Sequence, residues 1–160
     1  MNIWTVNNKS EEEFLRKKVP DFDFSQHAKK EIGDLIKTMR LTMKKANGIG
    51  LSANQIGSNL KLFVAQVENK FYAVFNPRII KYSEEKIILE EGCLSVPEMF
   101  GQTERPEKIV LEGQDISGKK IKIKAWGLLA RVFQHEVDHL NGVLFVDKTK
   151  EVRKITNGKK

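Results

Sequence analysis

Two histidines four residues apart with a glutamate between them, His135-Glu136-Val137-Asp138-His139, are the residues of this chain best suited to do chemistry. At about 3.6 residues per helical turn, positions four apart lie one above the other, so a single cation can reach both imidazoles. Glu136 sits one step round the helix, where it can handle a proton on a water activated by that cation without ligating it. H-E-x-x-H in this form reads as a catalytic metal site with its own general base. The competing reading is a helix with two interior histidines hydrogen-bonded to backbone carbonyls. It explains one buried histidine better than two stacked with a carboxylate between them.

A helix must present these groups, and the text from Trp126 to Gly142 predicts one. Leu128, Val132, His135 and His139 fall at i, i+4, i+7 and i+11, so the imidazoles share a face with apolar residues and point into the protein. Asn141-Gly142 is a plausible helix stop, because glycine accepts the left-handed conformation. A catalytic site of this kind uses three protein ligands and leaves a position for water. The extended metzincin pattern fails at Phe145, and the only downstream glutamate is Glu151, in a lysine-rich stretch. The third ligand is therefore expected upstream. Cys93 is the only cysteine of the chain, so it has no intrachain disulfide partner and does not imply an oxidising compartment. It lies in Glu91-Gly92-Cys93-Leu94-Ser95 after a strand-like run, and a thiolate with two imidazoles suits zinc or ferrous iron.

A third segment, Gly48-Ile49-Gly50-Leu51-Ser52-Ala53-Asn54-Gln55, has the small residues that allow a close backbone approach. It lacks the complete glycine pattern and the Lys-Ser/Thr pair of phosphate-binding loops, which excludes a nucleotide site. Gln55 is either an amide donor to an oxyanion or a polar loop residue. Taken in order, GIGLSANQ, EGCLS and QHEVDHLNG resemble the three signature motifs of the peptide deformylases, over roughly Gly48 to Asp147. Ser52 stands where that family usually has alanine. The charged opening NNKSEEEFLRKK and the short C-terminus depart further from the family pattern.

The resemblance implies a metal-dependent hydrolase that removes the formyl group from N-terminal formyl-methionine of newly made polypeptides and releases formate. Cys93, His135 and His139 would hold one divalent ion, Fe2+ in the cell, with Zn2+, Ni2+ or Co2+ in a purified sample. Glu136 would be the general base, and the Leu94 N–H and the Gln55 amide would stabilise the formyl oxygen. Leu128 and Val132, with Ile49 and Leu94, would wall the pocket for the methionine side chain. The peptide beyond would add as a strand near Gly48–Gly50 and Gly92. Two rivals stay open: a zinc endopeptidase with its third ligand downstream, and a non-catalytic protein that uses a structural metal and the basic tail to bind ribosomes.

At 160 residues the chain is long enough for one domain with its own core, and 40% hydrophobic with 31% charged residues reads as soluble. No apolar run nears the roughly 20 residues that span a bilayer, and no secretory leader is visible, so a cytoplasmic monomer is expected. The domain is expected over 1–147, followed by a basic tail over 148–160. The net charge is +7 and Lys148, Lys150, Arg153, Lys154, Lys159 and Lys160 crowd the end, so ribosome association through the tail is the expectation. No aromatic residues interleave there, and sequence-specific nucleic-acid binding is not expected. Periodicity predicts a short helix opened by a capping box at Ser10 to Glu13, and a longer one capped by Ser25 with Ala28, Ile32, Leu35, Ile36, Met39, Met43 and Ala46 inward. It predicts hairpins over 61–75, 78–90 and 109–124. The fold class is α+β: antiparallel strands packed around a central metal-bearing α-helix.

Overall fold

The computed structural model describes residues 1–155. Three helices are present, α1 (Lys9–Leu15), α2 (Lys29–Lys45) and α3 (Gly127–Leu140). Among the described residues eight strands accompany them, seven in succession between α2 and α3 and one after α3: β1 (Gly50–Ser52), β2 (Leu62–Val67), β3 (Lys70–Tyr82), β4 (Lys86–Cys93), β5 (Val96–Pro106), β6 (Lys108–Gln114), β7 (Lys120–Trp126) and β8 (Thr149–Lys154). All pairings are antiparallel, in a five-stranded sheet of order β1-β2-β3-β6-β7 and a three-stranded sheet of order β4-β5-β8. The expected α+β architecture is present.

Strand alternation explains why β2 is apolar on both faces. Phe63 and Ala65 turn to one side of the large sheet, where Ala130, Phe133, Val137 and Leu140 of α3 complete a cluster with Val74, Ile109, Leu111 and Ala125. Leu62 and Val64 turn to the other side and meet Ile32, Met39 and Met43 of α2. The large sheet is thus covered by α3 on one face and by α2 on the other, and α3 also touches β5 of the small sheet. That places the helix with the two histidines at the centre of the molecule.

The end of α3 follows the sequence expectation. Gly142 has φ +76°, its N–H donates to His139 O, and Val143 N–H donates to Asp138 O, the paired bonds of a Schellman stop. A side chain could not be accommodated, because a Cβ on Gly142 would lie 2.3 Å from Arg16 O. Elsewhere the reading needs correction. Asn8, not Ser10, caps α1, since its Oδ1 accepts from the N–H groups of Ser10 and Glu11. Ser25 lies in a 3₁₀ turn capped by Asp23, and α2 begins after Ala28, whose N–H donates to Glu31. The hairpin expected over 78–90 does not form. Asn76 (φ +48°) carries β3 through a register shift, so one long strand pairs with β2 and then β6, while β4 crosses to the other sheet. The segment expected as a solvated tail is, over Thr149–Lys154, a strand paired with β5. Lys159 and Lys160 lie outside the described residues.

Candidate metal centre

The end of β4 delivers Cys93, and the last two turns of α3 deliver His135 and His139. Cys93 Sγ lies 3.1 Å from His139 Nε2, which lies 3.1 Å from His135 Nε2, and one ligand atom from each of the three residues falls within 4.8 Å of the others. Burial disfavours the Cys93 thiolate, but the two neighbouring imidazoles, His139 foremost, outweigh it and hold the thiol well below its ordinary range. A thiolate and two imidazoles converging in a cleft fit a divalent, borderline-soft cation. Among the described residues no downstream ligand joins the cluster: Phe145 is buried in the core and Glu151 is exposed on β8.

Glu136 is 3% exposed, and its Oε2 has no hydrogen-bond partner among the described residues. Burial pushes its carboxyl up to about 7, against the opposing charges of His135 and His139. Its other oxygen rests against β1, where a Cβ on Gly50 would lie only 2.3 Å from Oε1. A buried carboxylate with a free oxygen beside the ligand cluster has the chemistry to take up and return a proton.

Gln55 lies in a buried 3₁₀ turn, Ala53–Ile56. Its Oε1 accepts from Ser52 N–H at 2.9 Å, which turns Nε2 toward Ser95 Oγ at 3.0 Å and Cys93 Sγ at 3.7 Å. Ser52 Oγ also lies 3.1 Å from Gln55 Oε1 and 2.8 Å from Asn54 Oδ1, so the serine is accommodated within this turn. Asn54 Nδ2 donates to His139 O at 2.7 Å and joins the turn to the end of α3.

Beside the cluster opens a cavity of about 420 Å³. All six residues expected at the substrate, Gly48, Ile49, Gly50, Gly92, Leu128 and Val132, line it, together with Gln55, Leu94 and Glu136. Leu128 is 53% exposed, so it forms the rim rather than an interior wall. Asn47, Glu90 and Phe100 also line the cavity and were not anticipated, and Arg131 lines it one turn before His135. Arg131 presents only its stem to the space, because its guanidinium is bonded to Glu91, Thr103 O and Ile87 O.

Glu91 also lines the cavity, and its role is a further one that sequence reasoning missed. Its Oε2 lies 3.2 Å from His135 Nδ1, while Arg105 grips both of its oxygens. Burial opposes its ionisation, but the hydrogen bonds from His135 and Arg105 prevail and hold its carboxyl down at about 2. The available signal was a glutamate two residues from the thiol, since ligand imidazoles recurrently donate their second N–H to a carboxylate.

A sequence profile described as polypeptide deformylase matches residues 2–155 of this chain. A peptide deformylase of Treponema pallidum is 43% identical over 119 residues, which is 74% of this chain and 74% of the relative. Among solved structures, a peptide deformylase from Synechococcus elongatus in complex with actinonin superposes with a TM-score of 0.85 at 35% identity, covering 94% of this chain and 79% of that one. A Met-Ala-Ser-bound class I type b peptide deformylase from Acinetobacter baumannii gives 0.86 at 28% identity, covering 92% and 97%.

Proposed function

This chain belongs to the polypeptide deformylase family, and from that premise we propose that it is a hydrolase that removes the N-terminal formyl group from formyl-methionine of newly made polypeptides and releases formate. The observation that carries the reading is the convergence of Cys93, His135 and His139 beside the unpartnered carboxylate of Glu136, at the end of a cavity open to solvent.

Cys93, His135 and His139 would hold the divalent ion, whose contribution is to polarise the formyl carbonyl and to acidify water. The Cys93 thiolate would bring negative charge to the ion and temper it as a Lewis acid, which would favour Fe2+ in the cell. Zn2+, Ni2+ or Co2+ would replace it in purified protein. Glu136 accepts the proton of the attacking water and returns it to the departing amine. The Gln55 amide turns from Ser95 toward the formyl oxygen and shares its charge with the Leu94 N–H. Losing one such donor costs about 10²–10³ in rate.

The cavity lies between two open strand edges, because β1 pairs only with β2 and β4 only with β5. An extended peptide entering past Gly48, Ile49 and Gly50 on one side and Gly92 on the other can bond its main chain to both edges. Val132, Leu128 and the Arg131 stem then meet the first side chain, giving strong selection at residue one and tolerance afterwards.

Among the described residues no helix is long and apolar enough to cross a membrane. We place the enzyme in the cytoplasm as a monomer. The domain runs past residue 147 through β8, whose Lys150, Arg153 and Lys154 favour the RNA-rich ribosome surface where its substrate emerges. Formate release from formyl-Met-Ala-Ser by Fe2+-loaded protein kept anaerobic tests the activity. Intact substrate with fully loaded protein would refute it.

A further inference from the structure

Glu91 has every acceptor position in use. Oε1 accepts from Arg105 Nε and Arg131 Nη1, each at 2.5 Å. Oε2 accepts from Arg105 Nη2 at 2.9 Å and faces His135 Nδ1 at 3.2 Å. An ionised carboxylate offers about four lone-pair sites, so none remains. The two-pronged grip of Arg105 already balances the charge, and Arg105 is itself tied to Asp138 at 2.8 Å, which Lys148 meets at 2.9 Å.

Arg131 adds a mechanical connection. It stands one turn before His135 on α3, is buried, and donates to Thr103 O on β5 at 3.1 Å and to Ile87 O on β4 at 2.7 Å. One side chain of the helix bearing both imidazoles is therefore bonded to the strand bearing the thiol, to that strand's neighbour, and to the carboxylate that holds His135. Donation from Nδ1 to Glu91 fixes the tautomer of His135 and leaves its lone pair on Nε2, the atom that faces His139. With Arg131 removed, one lone pair of Glu91 opens and the carbonyls of Thr103 and Ile87 each lose a charged donor, so α3 can shift against β4.

We propose that Arg131 is a positioning residue of the metal centre, which clamps α3 to β4 and so sets the separation of Cys93 Sγ from the imidazole of His135. This rests on the reading of Cys93, His135 and His139 as ligands. The probe is Co2+, loaded into the wild type, Arg131→Met and Arg131→Lys. Its loss to excess chelator is followed through the thiolate-to-cobalt absorption band, with urea unfolding of the metal-free chains as a stability control. Arg131→Met should release Co2+ about 10–100-fold faster with a shifted band, the range seen when a residue supporting a ligand is lost. Arg131→Lys, which keeps one charged donor, should fall between. Methionine preserves the apolar stem at the cavity, so kcat for formyl-Met-Ala-Ser should drop more than KM rises.

Wild-type release and an unshifted band in Arg131→Met overturn the clamp. Should that variant fail to fold, a wild-type release rate in Arg131→Lys overturns it instead. A wild-type chain that takes up no Co2+ overturns the ligand reading and the clamp with it. One that holds Co2+ yet releases no formate overturns the proposed activity and leaves the release measurement decisive for Arg131.

Discussion

Gly50→Ala tests how closely β1 and Glu136 are fitted. The new Cβ would lie 2.3 Å from Glu136 Oε1, 2.9 Å from its Cδ and 3.0 Å from Val132 Cγ1. Carbon and oxygen approach to about 3.3 Å even in favourable C–H···O contacts, so the carboxylate must withdraw by about 1 Å. Its helix is packed into the core, which leaves the side chain to take up the movement. A misplacement of about 1 Å at a reacting group costs about 10²-fold, or about 2.7 kcal/mol of barrier. The assay is formate release from formyl-Met-Ala-Ser at saturating substrate, with bound metal counted on the same sample. The expected result is a roughly hundredfold fall in kcat, full metal content and a much smaller change in KM. Gly33→Ala, on α2 away from the cavity, is the control, because its Cβ would meet nothing within 4 Å. A fully loaded Gly50→Ala enzyme with wild-type kcat would show that the position of Glu136 does not govern the rate.

Three further substitutions separate the roles in the site from those in the core. Glu136→Ala should lower formate release by about 10²–10⁴ while metal analysis finds the ion retained; loss of the ion would instead make Glu136 a ligand. Cys93→Ala should abolish both metal retention and activity, whereas an enzyme with its third ligand elsewhere would keep both. Phe133→Ala removes a fully buried ring packed 5.4 Å from Phe63 and 5.2 Å from Tyr72. It should cost about 3–5 kcal/mol by urea unfolding, yet leave kcat of the folded fraction near wild type.

The metal residues were legible because their signals are local. His135 and His139 repeat at helical spacing, Gly142 marks the stop, and a lone cysteine is easily found. Glu91 and Arg131 were not, because their meaning depends on how β4 crosses α3, which no spacing in the chain encodes. The fold divides in the same way. The β6–β7 hairpin was visible from Asp115 to Gly118, where Asp115 Oδ1 accepts from Ser117 and Lys119. β5 stayed hidden because Pro97 and Gly101 interrupt its strand pattern. The hairpin expected around Ser83-Glu84 failed for a different reason. A turn was correctly sensed there, but turn residues say that the chain reverses, not which sheet receives it.

β8 covers the outer side of β5 by pairing Met99 with Lys154 and Phe100 with Arg153. Without that last strand, a row of amide and carbonyl groups beside two large apolar side chains would be bared, a ready template for another copy of the chain. The lysines and arginine of β8 also put charge on the rim that replaces it, which discourages stacking. β8 therefore replaces that edge with a charged one, and a truncation made to remove its charge would also uncover the edge of β5.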